Sequence, residues 1–207
     1  VRATADAVRT SRRDDLLLIE LRDPSGYPRL TRVVLEELHR HFDQFETIAG
    51  VRAAVLTGMG KSFAAGADLA EVGALSAVEG LRFSALGQSL MRKIEQSAKP
   101  ILAAIRGYCL GGGLDLALAC HLRIAASDAL FGHLGATLGI ITGWGGTARL
   151  PRVLGPGGRT RALEMLASAQ MITAREAYAW GLVSRVVAPE ALLETAFAVA
   201  RHTNRGT

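Results

Sequence analysis

Short apolar runs alternate along this chain with longer stretches in which apolar positions recur every three or four residues. Leu16 to Leu21 is one such run, closed by Asp23-Pro24-Ser25-Gly26, and reads as a strand followed by a turn. Val51 to Leu56, ended by Thr57-Gly58, Ile101 to Ile105, ended by Gly107, and Leu122 to Ala126 read as further buried strands, with Ala129 to Phe131 and Val183 to Val187 as shorter ones. Val34, Leu35, Leu38, Phe42 and Phe45 have helical spacing behind Thr31, a suitable N-cap. Helical patterning also covers Leu69 to Ile94, with a break expected near Gly80, then Leu114 to Ala119, Arg159 to Ala167 and Thr173 to Trp180. Pro189-Glu190 opens a last helix running to about Arg201. Gly132 to Gly146 reads as a glycine-rich loop. Strands alternating with helices predict an α/β fold.

Composition changes this picture little. The 207 residues are 49% hydrophobic and 21% charged, which fits one globular domain over 1–207 and excludes long disorder. Residues 1–14 are expected to be a flexible or edge segment, and 188–207 the start of a C-terminal helical region. The 24 Lys+Arg against 19 Asp+Glu leave a surplus of +5 that is scattered rather than bunched, so no nucleic-acid surface is expected. Spare arginines suit an anionic small molecule instead. The first residues hold no apolar signal-peptide core, and no apolar run approaches ~20 residues, so neither a membrane span nor a membrane partner is expected. A cytoplasmic location follows as an expectation. Cys109 and Cys120 lie inside apolar segments and read as two buried thiols, and no His/Cys/Asp set has metal-ligand spacing.

Three glycine-containing segments, each behind a strand, carry the candidate chemistry. The first is Ala65-Gly66-Ala67-Asp68-Leu69, the second Gly111-Gly112-Gly113-Leu114-Asp115, and the third runs from Phe131 to Leu150. Glycines between a strand and a helix leave backbone N–H groups uncovered, and a helix N-terminus adds a positive field that suits developing negative charge. Close helix–strand packing, with Asp68 as an N-cap and Asp115 as a favourable first-turn charge, explains either of the first two segments taken alone. Two such segments together offer the pair of converging donors that a thioester enolate oxygen needs.

These segments resemble the enoyl-CoA hydratase/isomerase (crotonase) superfamily. The likeness spans about Leu16 to Arg201 and also includes Val51 to Gly58 and Gly145-Gly146-Thr147-Ala148-Arg149-Leu150-Pro151, all in family order. It implies a spiral of β-β-α units whose C-terminal helical region is shortened here, and a homotrimer or hexamer. It implies an acyl-CoA thioester as substrate, with coenzyme A part of that substrate and no separate cofactor. The resemblance places the thioester oxygen between the amides of Ala67 and Gly112, with Asp115 as general acid/base. Ala65, Gly66, Asp68, Leu69, Gly111, Gly135, His133 and Trp144 then line the site, and Arg29 is a candidate phosphate contact.

The chain departs from that pattern at two positions. The hydratases flank a water with two glutamates. Asp115 stands at the first position, one methylene shorter, a reach about 1.5 Å less. Gly135 stands at the second and supplies no acid or base. Three readings stay open: a hydratase-type lyase of the kind found in fatty-acid metabolism, using Asp115; an isomerase or synthase-like reaction needing one base; or a CoA-ligand-binding subunit. The second has a precedent in naphthoyl-CoA synthases, which carry Gly within a similar Phe-Gly-x-x-Gly segment and in some cases bind bicarbonate there. His133 reads either as a loop histidine bonded to backbone or as an acid/base near neutrality. Trp144 reads as pocket wall or core, Glu71 as a solvated helix face, His121 as a structural histidine, and Arg149 and Arg152 as packing or surface contacts.

Overall fold

The computed structural model describes residues 7–203. Its elements are β1 (Val8–Arg13), β2 (Leu16–Leu21), α1 (Arg32–Thr47), β3 (Ala53–Gly58), β4 (Ser62–Ala64), α2 (Leu69–Gly73), α3 (Ala77–Glu95), β5 (Ile101–Ile105), β6 (Tyr108–Leu110), α4 (Gly112–Ala119), β7 (Leu122–Ala126), β8 (Leu130–Gly132), α5 (Gly146–Val153), α6 (Gly158–Ser168), β9 (Ile172–Thr173), α7 (Ala174–Ala179), β10 (Arg185–Val187) and α8 (Leu192–His202). The chain repeats one pattern: a long strand, a short strand, then helix. The long strands form a sheet in the order β1-β2-β3-β5-β7-β10 and the short ones a sheet in the order β4-β6-β8-β9. Strands β3, β5 and β7 are parallel to one another, as are β4, β6 and β8, so each β-β-α turn stacks beside the last. The expected α/β spiral is present.

The large sheet is buried on both faces, as parallel sheets are. Leu17, Ile19, Ala54, Leu56, Ala103 and Ile105 point to the main core. Their neighbours Leu16, Leu18, Ala53, Val55, Leu102 and Ala104 point the other way, against Leu192, Ala196, Phe197 and Ala200 of α8. This period of two explains why β2, β3 and β5 are unbroken apolar runs in the sequence.

Several boundaries differ from the sequence expectation. The break in the long helical stretch lies at Ser76, not near Gly80. Ser76 N-caps α3 with a reciprocal capping box to Glu79, which ends α2 and restarts the helix. Strand β3 starts two residues late because Arg52 bonds to Asp15 O through its own N–H. Helix α5 was not expected: it starts behind Gly145-Gly146 and contains Pro151, which are breaker signals. The last helix begins at Leu192, after a 3-10 turn over Pro189–Ala191. Residues 8–13 form an edge strand, antiparallel to β2, whereas 1–6 and 204–207 of the two terminal segments lie outside the described residues.

Candidate functional site

The small sheet brings the three glycine segments together. Strands β4, β6 and β8 run parallel and adjacent, so the segments that leave their C-terminal ends emerge side by side, the usual place for a ligand in an α/β sheet. Gly66 shows the proximity. Its backbone has φ +97°, and a Cβ there would lie 2.9 Å from Leu110 O and 3.5 Å from Gly112 N, so only glycine lets the two segments approach so closely. Leu30 N–H donates to Gly66 O (2.8 Å), and Ala65 N–H to Pro28 O (2.8 Å), tying the first segment to the chain before α1. Gly112 is the first residue of α4, where an amide has no intrahelical acceptor. Among the described residues no acceptor receives the amides of Ala67 or Gly112. Asp68 N-caps α2 through the amides of Ala70 and Glu71, and Leu69, which opens that helix, is half exposed.

Asp115, one turn into α4, is fully buried. The Thr142 hydroxyl donates to its Oδ2, and the Trp144 amide approaches the same oxygen at 3.3 Å. Burial pushes the carboxyl up to about 6, opposed first by the Thr142 hydroxyl, then by the Trp144 amide and the charge of Arg149. His133 follows β8 and is also buried, with Nε2 3.6 Å from Asp115 Oδ1. Desolvation pulls its imidazole down to about 4. Neither of its ring nitrogens nor Asp115 Oδ1 has a hydrogen-bond partner among the described residues. The expected backbone bond to His133 is therefore absent, because the chain turns into a 3-10 helix over Leu134–Leu138 without offering the ring an acceptor.

Gly135 lies within that turn. Ile140 N–H donates to Gly135 O (3.0 Å), and a Cβ at Gly135 would lie 2.5 Å from Ile140 O. The loop thus closes over the place where a side chain would start. Trp144 packs across Gly112 and Gly87, edge-on to Phe83 with centroids 5.4 Å apart, and is both wall and core. Its carbonyl accepts from Arg149 Nη1 (3.0 Å), while Arg149 Nη2 pairs with Glu95 (2.8 Å), fixing the loop to α3. Gly143 O, held by Ser84 and Gln88 of α3, adds a second tie.

The remaining candidates fall outside this cluster. Arg29 pairs with Asp68 (2.8 Å) and Asp23 (3.5 Å) beside the first segment. Glu71 is not a solvated face: its carboxylate accepts the Arg32 amide (3.1 Å), because the start of α1 needs an acceptor. His121 Nδ1 accepts from Ile101 N–H (3.1 Å), a structural role as expected. Cys109 and Cys120 are free and buried. A cavity of about 250 Å³ between α5 and α6 touches Thr147, Pro151 and Leu163 but none of the expected site residues. Among the described residues no three His, Cys, Asp or Glu could hold a metal ion, and no helix is long and apolar enough to cross a membrane. The sequence reading missed Thr142, Arg149 and Glu95 as parts of the site. The hydroxyl in Ile-Thr-Gly-Trp-Gly was the one local signal; the Arg149–Glu95 pair joins residues too distant along the chain to be legible.

Residues 11–207 match the family described as enoyl-CoA hydratase/isomerase. A crotonyl-CoA hydratase of Syntrophomonas wolfei is 44% identical over 181 residues, 87% of this chain and 68% of that protein. A probable enoyl-CoA hydratase of Bacillus subtilis is 48% identical over 173 residues, 83% of this chain and 66% of that protein. The chain thus aligns with about two thirds of these relatives' length. Among solved structures, an enoyl-CoA hydratase from Bacillus anthracis superposes with TM-score 0.89 at 37% identity, covering 95% of this chain and 76% of that one.

Proposed function

The chain belongs to the enoyl-CoA hydratase/isomerase family, and from that premise we propose that it is a hydratase-type acyl-CoA enzyme, a lyase that adds water across an α,β-unsaturated thioester. The observation that carries this reading is the close approach of the Gly66 segment to the start of α4, with amides at Ala67 and Gly112 that have no acceptor among the described residues and a buried carboxylate one helical turn further on. In this reading the thioester oxygen lies between those amides. Water oxygen bonds to the β-carbon, the double-bond electrons move toward the thioester, and the oxygen carries the resulting enolate charge. Donors fixed before reaction cost no reorganisation, and losing one typically lowers rate about 100- to 1000-fold. Asp115 takes the water proton and returns a proton to the α-carbon. Its raised pKa suits a group that must both accept and release a proton near neutrality.

Coenzyme A enters as part of the substrate, with no separate cofactor. Gly66, Gly111 and Trp144 shape the wall around the reacting carbons, and Ala65, Asp68 and Leu69 border the first amide. Arg29, already paired to Asp68, is the candidate phosphate contact. Exposed Leu138 and Ile141 support self-association, as the trimer or hexamer of the proposal requires. A cytoplasmic setting in acyl-chain metabolism completes the reading.

A single-base reaction, isomerase or synthase-like, is the second reading. It is favoured by Gly135, where the Ile140 carbonyl occupies the space of any side chain. A panel of enoyl-, dienoyl- and 3-hydroxyacyl-CoA thioesters, followed by the ultraviolet absorbance of the conjugated thioester, tests both. Loss of absorbance on short enoyl-CoA is the expected result. Turnover that requires added bicarbonate supports the second reading. Binding of acyl-CoA without turnover of any panel member overturns both.

A further inference from the structure

The site holds an unusual pair of orphans. Asp115 Oδ1 and both nitrogens of His133 are buried without partners among the described residues, and a buried polar atom left unpaired is destabilising. The two groups face each other, Oδ1 to Nε2, at 3.6 Å. That is a few tenths of an ångström beyond a hydrogen bond. Gly146 leaves room for the pair: a Cβ there would overlap Asp115 Oδ1 and lie 2.8 Å from His133 Nε2. The other carboxylate oxygen is already engaged by Thr142 and Trp144, which fixes the plane of the group and aims Oδ1 at the ring.

We infer that His133 is the proton partner of Asp115: the proton that Asp115 takes from water is held between Asp115 Oδ1 and His133 Nε2, so that one carboxylate can both receive and return a proton. This rests on the reading of Asp115 as the proton-transferring group. In the resting site the imidazole carries its own proton on Nδ1 and turns a bare Nε2 toward the ionised carboxylate. Two acceptors then face each other, which accounts for the separation. When Asp115 takes a proton from water, its new O–H donates to Nε2, and the two facing atoms, Oδ1 and Nε2, are satisfied at once. When the proton leaves for the α-carbon, the pair returns to its starting state. No group other than the water and the substrate carbon gains or loses a proton.

The charged and titratable groups packed around the pair are few. Arg149 of α5 is the positive charge acting on Asp115, and it is itself paired to Glu95 of α3. Cys109 of β6 also lies within range of Asp115, and burial keeps its thiol protonated. Thr142 and the backbone amides of Trp144 and Gly146 contribute neutral donors only. Nothing else in this set can accept the proton from Asp115, which leaves the imidazole. His133 is thus a positioning residue, acting through Asp115.

The test combines nuclear magnetic resonance with kinetics. In the wild-type chain, His133 ¹⁵Nε2 is expected to respond at the Asp115 ¹³Cγ midpoint near pH 6, as the new O–H bonds to it, with the imidazole's own protonation following at lower pH. His133→Leu removes the acceptor for the protonated carboxyl, so the Asp115 midpoint is expected to fall by about half a pH unit or more. Its kcat on the enoyl-CoA substrate should drop about tenfold or more, with KM within about twofold. His133→Gln, whose amide oxygen can accept, should recover part of both. An unchanged or raised Asp115 midpoint in His133→Leu, or a wild-type His133 Nε2 that does not respond at the Asp115 midpoint, overturns the proposal. If His133→Leu fails to fold, the wild-type titration and His133→Gln decide. If no thioester is turned over, the hydratase reading fails, while the resonance titration still decides the pair.

Discussion

The two sheets of this molecule are built from the same repeating unit yet do opposite work. The large sheet is mostly apolar on both faces: Leu56, Val55, Leu102 and Ala104 have no exposure, and polar side chains within it are satisfied, Thr57 by Ala104 O and Arg123 by the carbonyls of Leu182 and Cys120. The small sheet has strands of two or three residues and serves to set three loop segments side by side. Around those segments lie unpaired amides, a buried carboxylate and an unsatisfied histidine. The stability of the fold resides in the first sheet, and the strain that chemistry requires is concentrated beside the second. Removing an atom from each sheet should therefore give opposite signatures.

The largest effect is expected at Asp115. Asp115→Asn should lower turnover about 10²- to 10⁴-fold while acyl-CoA affinity changes little, measured by steady-state kinetics and calorimetry. A fully active variant removes Asp115 from the mechanism. In the large sheet, Leu56→Ala should cost about 2–5 kcal/mol in denaturant unfolding, with kcat/KM of the folded fraction within about twofold. If that variant loses activity while keeping its stability, the division between the sheets fails. Gly146→Ala lies between these two. Its new methyl would displace Asp115 Oδ1, and a shift near 1 Å costs about 100-fold in rate.

The smallest effect concerns pH and stability. The Asp115 carboxyl titrates in the fold at about 6 rather than 3.8, so the folded chain binds more protons than the unfolded one across that window. Its contribution to stability therefore falls as pH rises from about 4 to 6. His133 titrates at about 4 rather than 6.5, so there the unfolded chain binds more protons and stability rises with pH over nearly the same window. The two oppose each other, so their summed contribution should be nearly flat between pH 4 and 6. Asp115→Asn removes the opposing one, so its stability should rise relative to the wild type by about 2–3 kcal/mol over that range. A variant curve parallel to the wild type would show that burial does not raise the Asp115 carboxyl.

Most of the large sheet could be read from the sequence, because a strand buried on both faces leaves an unbroken apolar run, as Leu16–Leu21 and Ile101–Ile105 do. Strand β1 could not, since it is an edge strand with polar Thr10 and Ser11 and its one partner is β2. Helix α5 was hidden by its glycines and Pro151, and the break at Ser76 had a legible capping box that Gly80 outweighed. At the site, the Ala65–Asp68 and Gly111–Asp115 segments were legible because glycine next to a helix start has a local cause.

The sequence by itself determined the α/β order, the glycines that let two segments touch, and a glycine, Gly135, in the third segment. Only the tertiary structure decided what surrounds Asp115. Burial, the hydroxyl of Thr142, the charge of Arg149 and the imidazole of His133 arrive from separate elements, and a proton affinity depends on the sum of fields through space rather than on neighbours along the chain.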